Sequence, residues 1–111
     1  MNEQALHPIL RSPHEYDLID FRFHVDQIDP SRSFVEMTLT KPTDTVALRF
    51  WQPQGLTIEE GFPQATRGMV FYDLSAHGLE DIGVEVSDFE ASRGSIKFFA
   101  KGVEKLTEPT N

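Results

Sequence analysis

This chain has 111 residues and a mass of 12.6 kDa, which suits one domain that buries roughly two-thirds of its unfolded surface. It carries 18 acidic and 10 basic residues, a formal net charge of −8, which opposes binding to nucleic acid and to anionic lipid. Because it has no cysteine, a disulfide framework, a thiolate nucleophile and a cysteine-ligated zinc site are excluded. No stretch approaches the roughly 20 apolar residues that a membrane-spanning helix needs. We therefore expect an acidic, soluble, cytoplasmic protein.

The N-terminal residues are predicted to form a tail, and the first strand follows it. Residues 1–14 contain Pro8 and Pro13 and one short apolar cluster, so they are expected to pack only one or two side chains against the domain. From residue 16 to residue 26, apolar residues alternate with polar ones: Ile19, Phe21, Phe23 and Val25 against Asp20, Arg22, His24 and Asp26. This two-residue period is typical of a strand with one dry face and one wet face.

Turns that carry proline at their second position separate the next strands. Proline is favoured there because its fixed φ suits a type I turn. Three such turns, at 29–32, 41–44 and 52–55, delimit three further predicted strands: residues 33–40, 45–51 and 56–60. Trp51 ends one of these strands on its wetter face. A large aromatic side chain in that position either covers a neighbouring element or marks a contact site.

The strand predicted over 68–74 differs from the others because it is apolar on both faces. Strands of this kind are usually covered on both sides. We therefore expect this strand to be central in the sheet or in the sandwich.

The last third of the chain contains two more strands and one helical signal. A short alternating strand is predicted over 82–86 and a last strand over 95–101. Between them, Ser87 and Glu90 have the spacing of a capping box. This spacing predicts one short helical turn near residues 87–93.

Together these elements predict an all-β fold. Strands that recur at short intervals between proline and glycine turns are typical of an antiparallel meander. We expect about seven short strands, closed as a sandwich or as a small barrel. The single domain is predicted to span residues 15–106, with a C-terminal tail at 107–111.

The wet face of the first strand offers one pair of metal ligands. His24 and Asp26 stand two residues apart and point the same way, so a divalent cation could bind an imidazole nitrogen and a carboxylate oxygen there. Such residues are also ordinary on a solvent-facing strand. The sequence contains no nucleophile elbow, phosphate-binding glycine loop or His-Glu-x-x-His motif. No catalytic residue and no cofactor is therefore predicted.

An acidic segment is the first candidate binding surface. Residues 73–90 contain six carboxylates and neither Lys nor Arg. The residues predicted to bind are Asp73, Glu80, Asp81 and Glu85. A surface of this charge favours a basic partner, although solvated acidic loops also keep a small protein soluble without binding anything.

Aromatic residues form the second candidate surface. Phe34, Trp51, Tyr72 and Phe99 each fall on the face opposite the main apolar stripe of their strand. If these faces coincide, they form either the second half of a two-layer core or an apolar patch that recruits a partner. In the second case Trp51 and Tyr72 are binding residues, and a homodimer through this face is a further option.

The chain also resembles a group of known families over residues 12–106. The pattern that carries the resemblance has four parts: His14-Glu15 before the first strand, the series of β-turns, a short Ile/Leu-rich strand near Leu56, and Asp88-Phe89 ahead of the alternating Ile96, Phe98 and Ala100. It resembles small all-β bacterial families, including immunity proteins of polymorphic-toxin systems. The resemblance implies a non-catalytic protein that acts by binding another protein.

The sequence therefore predicts a non-catalytic binding or accessory module that engages a protein partner, for example a basic one. Two alternatives stay open. Nine phenylalanines could line a small-molecule cavity inside a barrel, which would make the protein a carrier. A metal-assisted hydrolase that uses His24 and Asp26 is the other alternative.

Overall fold

A computed structural model describes residues 5–60, 69–88 and 95–106. Within these ranges the chain forms eight strands in two four-stranded antiparallel sheets. The strands are β1 (Asp17–His24), β2 (Phe34–Lys41), β3 (Asp44–Trp51), β4 (Gln54–Ile58), β5 (Met69–Asp73), β6 (Val84–Asp88), β7 (Ile96–Ala100) and β8 (Gly102–Leu106). The described helical elements are three short 3-10 turns, at Pro13–Glu15, Pro30–Arg32 and Ser75–His77. The all-β prediction is confirmed.

The strand order is β1-β2-β3-β8 in the first sheet and β4-β7-β6-β5 in the second. The chain changes sheet between β3 and β4 and returns between β7 and β8. In the second sheet, β5, β6 and β7 follow one another while β4 lies beside β7, which is the order of a Greek key. The two crossings contact each other, because the backbone N–H of Lys101 donates to the carbonyl of Trp51 at 2.8 Å. The described chain is therefore a β-sandwich.

The core lies between the two sheets. Every second side chain is buried from Val35 to Leu39 in β2 and from Val46 to Phe50 in β3, because alternate residues of a strand point to opposite faces. Phe50 of the first sheet packs edge-on against Phe71 and Phe98 of the second, with ring centroids 5.5 and 5.2 Å apart. All three side chains are at most 1% exposed. Burial of each such ring is worth about 1.5–3 kcal/mol.

β1 follows the predicted alternation only in part. A bulge falls between Leu18 and Asp20, so that Leu18 pairs with the buried Leu39 and Ile19 is 59% exposed. β1 is also one of the two outermost strands of its sheet, which leaves Phe23 40% exposed. The bulge and the edge position explain why the predicted dry face is incomplete.

β5 lies at the edge of the second sheet, so the expectation that the strand at 68–74 is central in its sheet is wrong. The strand is nevertheless covered on both sides, because Met69, Val70 and Phe71 are each at most 2% exposed. Phe71 packs in the core, whereas Val70 lies outside the core cluster and beside residues that precede β1. Apolar composition thus indicates burial without identifying what covers the strand.

The cover is the N-terminal segment, residues 5–16. The backbone N–H of His7 donates to the carbonyl of Phe71 at 2.9 Å, and the backbone N–H of Asp73 donates to the carbonyl of Ala5 at 2.7 Å. These bonds place the segment antiparallel to the outer edge of β5. The described part of the predicted tail therefore packs against the second sheet.

The predicted helical turn near residues 87–93 can be compared with the structure only at its first two residues. Ser87 and Asp88 belong to β6, where Ser87 pairs with Val70. Ser87 is therefore a strand residue and not a helix N-cap, which corrects the prediction at this position. Residues 89–94 and the predicted C-terminal tail at 107–111 lie outside the described residues.

Candidate functional site

The outer face of the first sheet carries three aromatic side chains in a row. His24, Phe34 and Trp51 are cross-strand neighbours on β1, β2 and β3. The rings of His24 and Phe34 stack with centroids 4.8 Å apart, and those of Phe34 and Trp51 meet edge to face at 5.4 Å. We refer to these three residues as the aromatic row. It faces away from the core because the adjacent residues of each strand alternate in direction.

A row of alternating charge runs beside the aromatic row. Arg22, Glu36, Arg49 and Glu104 are successive partners across β1, β2, β3 and β8. Nη2 of Arg49 donates to Oε1 of Glu36 at 2.8 Å, and Nε1 of Trp51 donates to Oε2 of Glu104 at 2.9 Å. The charged row therefore anchors one end of the aromatic row.

Arg49 connects the two rows. Its guanidinium carbon lies 4.3 Å from the ring centroid of Phe34 and 5.3 Å from that of Trp51. Such a contact between a cation and an aromatic ring is worth about 0.5–2 kcal/mol. The aromatic side chains are thus held in one arrangement before any partner binds, which lowers the entropy cost of binding.

Beside the aromatic row, the edge of the sheet exposes four apolar side chains. Ile19, Phe23, Val25 and Ile28 lie on β1 and in the loop after it, with exposed fractions of 59%, 40%, 62% and 96%. We refer to these four residues as the apolar edge. On its outer side β1 pairs with none of the described strands. Single exposed apolar residues are normal, but several along one outermost strand are typical of an interaction surface.

The loop that carries Ile28 is ordered by polar side chains. Oδ1 of Asp26 accepts the backbone N–H groups of Ile28 and Asp29 at 3.0 and 2.9 Å. The hydrogen bonds from Asp29 and Ile28 lower the pKa of the Asp26 carboxyl below its usual value. The backbone N–H of Asp26 in turn donates to Oγ of Ser33 at 2.9 Å. The exposed side chain of Ile28 therefore lies on a turn that these hydrogen bonds stabilise.

The two predicted metal ligands have partners within the chain. His24 stacks on Phe34, and the Asp26 carboxylate accepts the two N–H groups of its own loop. Among the residues that the structure describes, no three or more His, Asp or Glu side chains are grouped so as to hold a metal ion. His24 and Asp26 thus remain a pair without a third described ligand.

The predicted acidic residues of the β5–β6 region have different surroundings. Oδ1 of Asp73 accepts the hydroxyl and the backbone N–H of Ser75 at 2.7 and 3.0 Å, and these bonds lower the pKa of Asp73. Oδ1 of Asp81 lies 3.9 Å from Nζ of Lys101. Glu80 is exposed in the same connection. Two of these carboxylates therefore already have polar or charged neighbours within the chain.

The predicted aromatic residues are divided between the two outer faces of the sandwich. Trp51 belongs to the aromatic row of the first sheet. Tyr72 lies on the second sheet in a cross-strand row with Glu85 and Phe99. The four aromatic side chains considered from the sequence therefore form neither one patch nor a second core layer. Of the predicted binding residues, Trp51 is the one that lies on the surface described above.

The sequence pattern does not indicate the apolar edge. The alternation places Ile19, Phe23 and Val25 on a dry face and gives Ile28 no role. One signal was present, because Ile28 is the only large aliphatic residue in the polar stretch 26–32. The exposure of the other three depends on the position of β1 in the sheet, which the alternation of a single strand does not contain.

Comparison with models of protein families, with curated proteins and with solved structures finds no match to this chain. The resemblance to immunity proteins stays a prediction. The described residues include no helix that is long and apolar enough to cross a lipid bilayer.

Proposed function

We propose that this protein is a non-catalytic binding module that engages another protein through the apolar edge and the aromatic row. One observation carries the proposal: Phe23, Val25 and Ile28 are 40%, 62% and 96% exposed along an outermost strand and its ordered loop. Covering apolar surface is worth roughly 25 cal/mol per Å². A partner that covers these side chains gains this free energy, which the free protein does not use.

The binding mode that fits this surface is the addition of a strand to β1. An outermost strand offers backbone N–H and C=O groups to an extended segment of another chain, and exposed side chains beside it provide specificity. The aromatic row lies at the end of β1 that leads into the loop, on the outer face of the sheet, and Phe23 projects from the opposite face of the same strand, so a segment added to β1 would reach both. Trp and Arg are frequent in the residues that dominate binding energy, so Trp51 and Arg49 are the expected anchors.

The charge of the chain favours a basic partner. The formal net charge is −8, so a basic protein is attracted from a distance even though the charged row itself contains both signs. This long-range attraction weakens with salt, whereas apolar contacts do not. We therefore expect high salt to lower the association rate constant without abolishing binding.

The proposal is tested by capture and cross-linking with matched variants. Wild-type protein is compared with the double variant Phe23→Ser/Ile28→Asp, which removes two side chains of the apolar edge. The control is Ile58→Ser, because Ile58 is 47% exposed on β4 of the other sheet. We expect partners cross-linked to residues 19–28 that are lost with the double variant and kept with the control. If all three baits retain the same partners, or none cross-links at β1, the proposal is wrong.

A second copy of this chain is the second candidate partner, because the β1 sequence is complementary to itself. Antiparallel pairing of two β1 strands about Phe21 sets Asp20 of each chain opposite Arg22 of the other, and Ile19 opposite Phe23. Asp20 and Arg22 are accessible, with side chains 59% and 68% exposed. The same edge would then join two sandwiches.

Sedimentation velocity distinguishes whether the partner is a second copy of this chain or a different protein. If the partner is a second copy, Asp20→Arg should shift dimer to monomer and the exchanged pair Asp20→Arg/Arg22→Asp should restore the dimer. A wild-type protein that is monomeric at all concentrations tested would exclude the second copy and leave a different protein as the partner.

A further inference from the structure

A cleft of about 410 Å³ lies where the N-terminal segment folds over β5. It is separate from the apolar edge, which belongs to the other sheet. Its volume is within the range of small-molecule sites. The space between the sheets is filled by the rings of Phe50, Phe71 and Phe98, so a carrier function would use this cleft and not the interior predicted for a barrel.

The cleft has an apolar lining made by two parts of the chain. Six described lining residues are apolar: Leu6, Pro8, Leu10 and Pro13 from the N-terminal segment and Val70 and Phe71 from β5. Leu10, Val70 and Phe71 are 7%, 2% and 1% exposed, so they close the base of the cleft and offer little surface to a ligand. The accessible apolar surface belongs to Leu6, which is 66% exposed, and to Pro8, and the apolar body of a ligand would lie against these two residues.

The described ionisable residues that line the cleft are all basic. The described residues around the cleft include His7, Arg11 and His14 and no carboxylate. This is an unusual composition in a chain with 18 acidic and 10 basic residues. A carboxylate is therefore accepted here more readily than elsewhere on this acidic surface.

His7 is prepared to donate a hydrogen bond while uncharged. Its Nδ1 accepts the backbone N–H of Ile9 at 3.1 Å, so in the neutral ring the proton is on Nε2. Burial lowers the pKa of His7, an effect that the nearby Asp73 carboxylate partly opposes. Arg11 is exposed at the rim and always charged, and its planar guanidinium matches a carboxylate in two parallel hydrogen bonds.

We propose that this cleft binds a small monocarboxylate with an apolar body, such as a medium-chain fatty acid. Arg11 pairs with the carboxylate, Nε2 of His7 donates to it, and the apolar body lies on Leu6 and Pro8. Because the cleft is formed by the N-terminal segment and β5 together, the ligand would hold the two parts against each other. This site does not depend on the proposed protein-binding function.

The test is an NMR titration of the full chain with octanoate, 1-octanol and octylamine. These probes share an apolar chain and differ in charge. We expect octanoate to shift the amides of residues 6–14 and 70–71, with a Kd about ten-fold or more below that of 1-octanol at the same residues, as a charge-assisted hydrogen bond implies. Octylamine should not shift these residues. Equal Kd values for octanoate and 1-octanol, or octanoate shifts elsewhere only, would overturn the proposal.

A pair of arginine variants tests the role of the charge. Arg11→Gln should raise the octanoate Kd about ten-fold, whereas Arg22→Gln, an exposed arginine of the first sheet, should change it less than about two-fold. Both arginines are exposed, so neither substitution threatens the fold. If both variants bind octanoate as the wild type does, Arg11 does not bind the carboxylate and the proposal is wrong.

Discussion

Two of the outermost strands, β1 and β5, both carry large apolar residues, but the described residues cover only one of them. At β5 the N-terminal segment covers the backbone edge and the outer face, and Val70 and Phe71 are 2% and 1% exposed. At β1, Phe23 and Val25 are 40% and 62% exposed. The molecule therefore contains at β5 the kind of strand addition that we propose a partner makes at β1.

The segment that covers β5 is short. At β5 two backbone hydrogen bonds, from His7 to Phe71 and from Asp73 to Ala5, align the segment, and Leu10 reaches the core just after it. A partner segment of similar length would cover β1 from Phe23 onward.

The largest difference between β5 and β1 is expected in the free energy of unfolding when a phenylalanine on each strand is changed to alanine. Phe71→Ala on β5 should lower the free energy of unfolding by about 3–5 kcal/mol, because the ring is buried against Phe50 and leaves a cavity. Phe23→Ala on β1 should cost about 1 kcal/mol, because its ring is already partly in water. Urea denaturation measures both values. Equal losses would mean that β1 is as well covered as β5.

Removing the cover of β5 should have the next largest effect. Leu10→Ala should lower the free energy of unfolding by about 2–4 kcal/mol, because the buried side chain leaves a cavity under the N-terminal segment. Hydrogen exchange at the Asp73 amide should accelerate more than at the centre of the sheet, because its acceptor is the carbonyl of Ala5. The control Leu79→Ala, at a residue 50% exposed, should stay within about 0.5 kcal/mol of the wild type. An unchanged Asp73 amide in Leu10→Ala would show that the segment does not protect β5.

A smaller effect is expected from pH, because the contribution of the N-terminal segment to stability depends on the protonation of His7. The pKa of His7 is lowered by burial, so the folded state favours the neutral ring. Its contribution to stability is therefore present above the usual pKa of 6.5 and is lost as the pH falls from there through the lowered pKa. The lowered pKa values of Asp26 and Asp73 act in a different range, below 3.8.

His7→Gln should reduce the loss of stability between pH 7 and pH 5. Urea denaturation at a series of pH values measures the slope. A slope in His7→Gln equal to that of the wild type would show that His7 is not buried against β5.

Strand positions could be predicted from this sequence because alternation and turn residues are local. The strands predicted over 33–40 and 45–51 match β2 and β3 within one residue at each end. The capping-box spacing at Ser87 was misleading because a strand pairing overrides a local helix signal. Periodicity identifies the strands but does not specify their neighbours.

The candidate surface could not be predicted for the same reason. Trp51 was identified because its face follows from alternation alone. Its neighbours His24 and Phe34 come from other strands, and their contacts depend on the pairing register. The exposure of Val25 depends on which strand is outermost. The pairing register and the position of a strand at a sheet edge are properties of the topology, and the pattern of a single strand does not determine them.

The smallest expected effect on stability is at the most exposed apolar residue. Ile28→Asp should change the free energy of unfolding by less than about 0.5 kcal/mol, because the side chain is 96% exposed and its loop is held by Asp26. The matched change on the covered strand, Val70→Asp, places a carboxylate at a residue 2% exposed and should unfold the protein or cost several kcal/mol. Urea denaturation measures both variants, and cross-linking to the captured partner shows whether Ile28→Asp loses binding while keeping its fold. A large loss of stability in Ile28→Asp would mean that this residue is covered within the chain, and the apolar edge would then be part of the fold and not a site for a partner.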